Sequence, residues 1–389
     1  MVRFMVRTTS NSKSSSQLKF VILTHVVHKK IGNTYYAYGP YIREMNIWLK
    51  YVGNVILVAP FDQTSPPEAN ELPYETYKIE FIRVPQFEIT NFHSTLKTLL
   101  FLPLIIAQIV RGIKSADHIH IRCPGNVGLV GSFVQIFFPR KKKTAKYAGN
   151  WDWASEQPWS YRLQQCILRN TFLTRNMTTL VYGEWSDKSR NLKPFFTASF
   201  SENERLPIYK TSLIKGVKLA FAGTLTENKN PLACAEVLHA LTEIGIKATL
   251  TYCGDGPERA KIEEFISSNH LLDRVKLLGN VDSITVKYVL QEAHFLILLS
   301  RSEGWPKAVS EAMWWGCVPV TTAVSCVPWM LDGGSRGELV SGSVSEITSI
   351  IEEYIPEQAR FDEKSANAMK WARQYTLEKF DEEIQSLIH

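Results

Sequence analysis

Paired cysteines at metal-binding or redox spacing are absent from this chain. Its six cysteines, Cys123, Cys166, Cys234, Cys253, Cys317 and Cys326, are scattered with no Cys-x-x-Cys. Several lie in apolar strands or helices, so they read as reduced core residues of a cytoplasmic protein, not as a disulfide framework. Neither an Asp-x-Asp pair nor a His/carboxylate cluster with metal spacing occurs, and no metal is expected. There is no aromatic-and-basic stripe and no nucleic-acid module, which argues against a nucleic-acid partner. Long hydrophobic runs are missing too. The most apolar stretch, Leu99 to Val110, is interrupted by Pro103 and falls short of the roughly 20 residues a membrane span needs. Before Phe20 there is only a Ser/Thr-rich, basic segment. Residues 1–17 therefore read as a flexible tail and not as a secretory signal.

At 389 residues the chain is too long for one ordinary core, so two domains are expected. Its 45% hydrophobic and 21% charged residues are those of a soluble globular protein. Charge is uneven: residues 1–205 hold 26 Lys+Arg against 14 Asp+Glu, and the remainder 18 against 24. A basic first half points to an anionic surface or substrate for that domain alone. Two of its segments bear on which. Leu99–Val110 and Val127–Phe138 are apolar, and the second runs into Arg140-Lys141-Lys142-Lys143. They read either as buried helices, the second with a solvated basic end, or as a monotopic face that meets anionic headgroups.

The second half holds the most informative pattern. His294 to Ser300 is an apolar run bounded by polar residues, as in a central parallel strand. Glu303 and Glu311 then flank Gly304-Trp305-Pro306-Lys307-Ala308-Val309-Ser310 where a loop becomes a helix, and Gly316 stops that helix before a strand, Cys317 to Thr322. Strand, loop, helix and strand form a βαβ unit, whose ligands bind beyond the carboxyl ends of the strands. Backbone N–H groups around Lys307 and Ala308 offer donors and a positive dipole end to a diphosphate. Glu303 can accept hydrogen bonds from sugar hydroxyls, and Glu311, about one turn into the helix, from a ribose diol.

The block Ser302 to Ala308, with Glu311-Ala312-Met313 and Gly316 to Val320, closely resembles the signature of retaining glycosyltransferases of family 4; the resemblance runs from Val217 to Val340. It implies an α/β chain of the GT-B fold, two Rossmann-like domains facing each other across a cleft, with a C-terminal helix returning to the first. The expected boundaries are 18–206 for the acceptor-side domain, 212–357 for the nucleotide-sugar domain and 358–389 for the returning helix, with Pro207 to Thr211 as linker. It also implies that a Lys, here Lys229, grips the diphosphate after Gly223. The Arg that commonly follows this glycine is replaced by Thr224, and Arg122 is a candidate for the second cation from across the cleft. Relatives read the base with backbone near a Gly-x-Val, here Gly279 and Val281. Gly254 and Gly256 are better explained by turn geometry.

In the first half, Phe20 to Leu23 and Asn54 to Ala59 read as strands around a loop, His25 to Pro40, and a helix from about Tyr41 to Tyr51. The loop has no Gly-x-Gly-x-x-Gly, so nucleotide binding is not expected there. Family relatives close this loop over the donor sugar, which makes Gly32 a candidate. A helix from Leu96 to Val110 precedes a strand from Asp117, on which His118, His120 and Arg122 share one face and Ile119 and Ile121 the other. The family often has a His near this strand end, close to the donor sugar; Arg122 takes the matching position, with His120 two residues earlier. A structural Arg paired with a buried carboxylate is the other reading. Asn150, Trp151 and Asp152 are candidate saccharide contacts, or else the start of a helix.

The activity implied is transfer of a sugar from a nucleoside-diphosphate donor to a glycan or lipid-linked acceptor, with retention and without a metal. Glu303, Lys229 and Arg122 are the candidate catalytic residues, and no protein base is assigned. A cytoplasmic protein at the inner face of a membrane, with peripheral contact through the first domain, fits the charge and the apolar stretches. Two alternatives stay open: an epimerase or hydrolase on the same architecture, and an inactive nucleotide-sugar-binding protein, for which Thr224 is the motive.

Overall fold

The computed structural model describes residues 18–68, 70–76, 78–85, 92–187 and 189–388; residues 1–17, expected as a tail, lie outside them. Two all-parallel sheets carry the chain. The first has seven strands in the spatial order Leu192–Phe195, Met177–Tyr182, Lys142–Tyr147, His118–Cys123, Lys19–Leu23, Asn54–Ala59 and Ile79–Arg83. The second has six: Val275–Leu277, Ala248–Cys253, Val217–Ala222, Phe295–Leu298, Val318–Thr322 and Glu338–Val340. Central strands such as Phe20–Leu23 and Phe295–Leu298 are apolar without alternation because helices cover both faces. In each sheet the chain adds strands to one side of its first strand and then to the other. The reversal lies between Lys19–Leu23 and His118–Cys123 in the first sheet, and between Val217–Ala222 and Phe295–Leu298 in the second. A crevice opens beyond the strand ends at each such point.

Alternation sorts the first domain's core. Val21, Leu23, Ile119 and Ile121 pack under the helices Phe92–Ser115 and Asn126–Val134, while Phe20, Ile22, Val55 and Leu57 join the opposite core with Trp48 and Met45. The helix Phe92–Ser115 is longer than expected at both ends and runs through Pro103. It buries Ile105, Ile109 and Ile113 at helical spacing and turns Phe101, Leu104 and Ile106 outward. The basic cluster beyond Phe138 is not a wholly solvated end. Lys142 opens a strand, and Lys143 and Lys146 are buried on it. Lys143 donates to the Gln135 side chain at 2.9 Å, and burial lowers its pKa to about 8.

The expected loop His25–Pro40 contains a hairpin, Lys29–Ile31 and Thr34–Tyr38, extended by Glu71–Pro73 into a small antiparallel sheet. Buried Lys29 ties it down through Glu71 at 2.9 Å. The C-terminal segment is two helices where one was expected. Gln358–Ala372 stays on the second domain, with Phe361 against Phe295 and Ser365 donating to the Gly316 carbonyl at 2.7 Å. Leu377–Ile388 alone returns to the first domain: Tyr51 donates to Asp381 at 2.6 Å, and Lys193 pairs with Glu383 at 2.6 Å. Among the described residues no helix is long and apolar enough to cross a membrane.

Candidate functional site

The loops that leave Val217–Ala222 and Phe295–Leu298 meet at the second domain's reversal point. Arg301 N–H donates to the Asn228 carbonyl at 2.8 Å, and the Asn228 side chain donates to the Ser302 carbonyl at 3.0 Å. This cross-link brings Lys229 Nζ to 3.8 Å from Glu303 Oε1, which also accepts from Ser300 Oγ at 2.7 Å. Lys229 lies across Gly223, where a Cβ would stand 2.8 Å from Nζ. Gly223 has φ +142°, and its carbonyl is met so closely by Gly254 that a Cβ there would stand 1.9 Å from it. Close backbone approach, beyond turn geometry alone, therefore accounts for Gly254. Thr224 is exposed on the same loop and brings no charge.

The helix Lys307–Trp314 starts at Pro306, and its first internal bonds run from Val309 and Ser310 to the Pro306 carbonyl. The N–H groups of Lys307 and Ala308 stand ahead of that ladder, at the positive end of the helix. Glu311 follows one turn on. Burial raises its pKa, and Ser199 Oγ, from the first domain, donates to its Oε1 at 2.6 Å. The loop touches the first domain again at Gly304, where a Cβ would meet the Ala148 carbonyl at 2.6 Å. Trp305 is buried beside Tyr182, and it stacks on Trp371 with 6.2 Å between ring centroids. Gly279, with φ +70°, accepts from Gly254 N–H at 2.8 Å, and Val281 packs on the core just before Asp282 caps the next helix.

The expected residues of the first domain do not all gather at the cleft. Arg122 is buried at its strand end, and its Nη1 donates to Glu44 Oε1 at 2.5 Å. Glu44 Oε2 accepts from buried Lys146 at 2.8 Å. Burial opposes the charge on Glu44, but Arg122 and Lys146 hold its pKa down at about 2. His120 was a candidate sugar contact; it is fully buried against Trp48 at 4.5 Å between centroids and shares Thr144 Oγ1 with His118, out of a substrate's reach. Trp151 is likewise buried, edge-on to Tyr147, and offers no platform to a sugar ring. Asn150 and Asp152 form turns: Asn150 Oδ1 accepts from Asp152 N–H at 2.9 Å and Asp152 Oδ1 from Ala154 N–H at 2.9 Å, while the helix begins only at Trp159. Gly32 sits at the tip of the hairpin with φ +56°.

Ser199, Lys146 and Glu44 went unnoticed in the sequence. Glu44 left a signal, being a carboxylate on the stripe Tyr41, Met45 and Trp48, where a buried charge demands partners. Ser199 left none, because it reaches Glu311 only through the packing of the two domains. Among the described residues no group of three His, Cys, Asp or Glu stands close enough to hold a metal.

Residues 211–374 match the family model described as "Glycosyl transferases group 1". The second domain is a group 1 glycosyltransferase domain. Over 188 residues the chain is 27% identical to N-acetyl-alpha-D-glucosaminyl L-malate synthase of Bacillus anthracis, covering 47% of this chain and 43% of that protein. The match thus spans under half of that relative's length. In three dimensions the chain is similar to Anabaena Alr3699/HepE, solved with UDP and glucose (TM-score 0.64, 16% identity, 95% of this chain and 99% of that one). It is also similar to WaaG, a glycosyltransferase involved in lipopolysaccharide biosynthesis (TM-score 0.61, 14% identity, 95% and 99%). The fold is GT-B, with two Rossmann-like domains and a returning C-terminal helix.

Proposed function

We propose that this protein is a retaining glycosyltransferase that moves a sugar from a nucleoside-diphosphate sugar to a glycan or lipid-linked acceptor. The observation that carries the reading is the convergence of Lys229, Glu303, Glu311 and the N–H groups of Lys307 and Ala308 on one reversal point. A diphosphate placed there meets Lys229, as a point charge, and the helix start, in line with the UDP bound to the Anabaena neighbour. Glu311 accepts the ribose diol, Glu303 the sugar hydroxyls, and the backbone at Gly279 and Val281 faces the base. The bond from the anomeric carbon to the diphosphate oxygen breaks, and its electron pair leaves with the diphosphate, whose growing charge these donors hold. The acceptor oxygen attacks the oxocarbenium-like carbon from the same face and passes its proton to the departing phosphate. Arg122, anchored on Glu44 in the other domain, is left out of the diphosphate clamp. The outward Phe101 and Leu104 and the exposed Phe137 and Phe172, with Arg175 over the Phe172 ring and Arg140 lining the same surface hollow as Arg175, support a peripheral contact with an anionic membrane.

The test is a screen of UDP-, GDP- and ADP-sugars by thermal shift and product release, with Lys229→Ala and Glu311→Ala beside the wild type. A donor present at about 100 times its Kd stabilises by roughly 2.7 kcal/mol. One donor stabilising the wild type and neither variant, with transfer to an acceptor, is the expected result. Free sugar released without acceptor identifies a hydrolase, and binding without turnover a binding protein. No binding at all ends the reading.

A further inference from the structure

The first domain's reversal point carries charge that the donor clamp does not use. Its crevice lies beyond Lys19–Leu23 and His118–Cys123, where such sheets bind ligands. Arg122 ends one wall, and the other continues into His25, against which the Gly125 loop closes so tightly that a Cβ there would stand 2.4 Å from the ring. Behind Arg122 a single carboxylate serves two cations: Glu44 accepts from Arg122 at 2.5 Å and from Lys146 at 2.8 Å. Lys146 is sealed in, with the rings of Tyr182, Phe195 and Phe380 each 5.2 Å from Nζ. Among the described residues no other carboxylate lies within ion-pairing distance of either cation. His25 and His120 add no negative charge, and both are held below the ordinary imidazole pKa by burial and then by Arg122. One positive charge is therefore uncompensated where little water reaches, which is costly without a counterion.

The guanidinium marks where the counterion belongs. Arg122 spends Nη1 on Glu44 and lies over the Tyr41 ring at 5.4 Å. Its remaining N–H donors have no acceptor among the described residues, and none of its nitrogens is both sealed from solvent and unbonded, so the free edge can be reached from solvent at the strand end. The diphosphate is already served from the other domain by Lys229 and the helix at Lys307.

We propose that this crevice binds an anionic group, a carboxylate or a phosphate, carried by the substrate on the sugar side of the diphosphate, with Arg122 as the residue that reads it. The proposal rests on the transferase reading and adds the substrate's charge to it. A planar guanidinium with a free edge matches two oxygens of such a group, whereas neutral hydroxyls leave the charge unanswered. The group has two sources, the donor sugar, as in a uronate, or the acceptor.

The test uses the full chain with its diphosphate site filled by UDP, or by the nucleotide the donor screen selects. Malonate and inorganic phosphate are titrated at constant ionic strength and followed by thermal shift. The wild type is expected to bind at least one of them saturably. Arg122→Gln weakens that binding about tenfold or more while nucleotide affinity holds within about twofold, and Glu44→Gln, which frees the guanidinium, tightens it. A merely structural arginine predicts no saturable anion effect in the wild type and none gained in Glu44→Gln. UDP-glucuronate is then compared with UDP-glucose: a preference for the uronate that Arg122→Gln erases places the group on the donor, and equal affinities with anion binding retained place it on the acceptor. The proposal is overturned if neither anion binds the nucleotide-loaded wild type and no uronate preference exists, or if Arg122→Gln weakens the nucleotide itself. Should both variants fail to fold, the wild-type titrations still decide. Failure of the wild type to bind any nucleotide is a separate result, against the transferase reading.

Discussion

Glu311 is a carboxylate that the packing of two domains keeps from ionising at its ordinary pH. Burial raises its pKa, and the Ser199 hydroxyl offsets only part of that cost. A ribose diol would donate to both oxygens and favour the ionised form, so donor binding should drive the proton off. The sign follows: affinity is full above the raised pKa and falls as pH drops through it, by at most about tenfold per unit for one proton. Titrating the donor calorimetrically between about pH 7.5 and 5 should show this decline beginning above the usual carboxylate range. Glu311→Gln should bind more weakly and lose the slope. A wild-type affinity that stays level down to the usual carboxylate range would refute the assignment of Glu311 to the ribose. Arg122 is the contrasting case, a residue whose sequence position suggested a diphosphate contact and whose side chain is tied to Glu44.

The elements that join the domains meet in an aromatic seam. Trp305 from the donor loop stacks on Trp371 at 6.2 Å, Trp371 touches Trp329 at 5.2 Å and Tyr375 at 4.7 Å, and Phe196 then links Tyr375 to Phe380 on the returning helix. Truncating a buried tryptophan costs about 3–5 kcal/mol, so Trp371→Ala should lose stability in that range by urea unfolding. Because Trp305 loses the surface that holds it next to Glu303, donor affinity should fall as well. Unchanged donor affinity in the folded variant would show that the loop stands without the seam. Such elements were unevenly legible. The strand His294–Ser300 and the helix after Pro306 stand out in the sequence because an apolar run and a helix start are local signals. The hairpin at Lys29–Tyr38 does not, since its third strand, Glu71–Pro73, and its anchor, Glu71, come from far along the chain. The break between Ala372 and Leu377 is hidden by an apolar spacing that continues across it. Trp151, among aromatics beside Asn150 and Asp152, and His120, on a polar strand face near the position where the resembled family carries a His, look like ligand contacts in the sequence, and only the packing of Tyr147 and Trp48 puts them inside.

At the scale of the whole molecule, the buried basic groups set how stability changes with pH. His28 and His118 have pKa values lowered by burial to about 3 and His294 to about 4, while an unfolded chain protonates them near the ordinary imidazole value of 6.5. The unfolded state thus binds protons that the native state refuses. Their share of the stability is complete above 6.5 and is lost as pH falls, each histidine contributing up to about 1.4 kcal/mol per unit. Glu44, at about 2, adds to this only below 4.5, while Glu311, raised by burial, takes up its proton earlier and offsets a small part of the loss, so the slope in the interval between is set by the histidines. Three lysines extend the trend upward, Lys143, Lys146 and Lys210, all lowered by burial from 10.5 to about 8. The native state sheds their protons first, so the cost of burying them charged is relieved as pH rises from 8 toward 10. Urea midpoints should therefore climb from pH 4.5 to 6.5, level off, and climb again above 8, until the buried thiols of Cys123, Cys234, Cys253, Cys317 and Cys326, which burial pushes up from 9.0, and then tyrosines such as Tyr41, raised to about 12, oppose the rise. His118→Phe should flatten the acid limb by about one proton's slope, and Lys143→Met the alkaline limb by the same amount. A midpoint that is level between pH 7 and 5 would mean that these imidazoles protonate within the fold, and the buried strand face of His118 and His120 would have to open to let them.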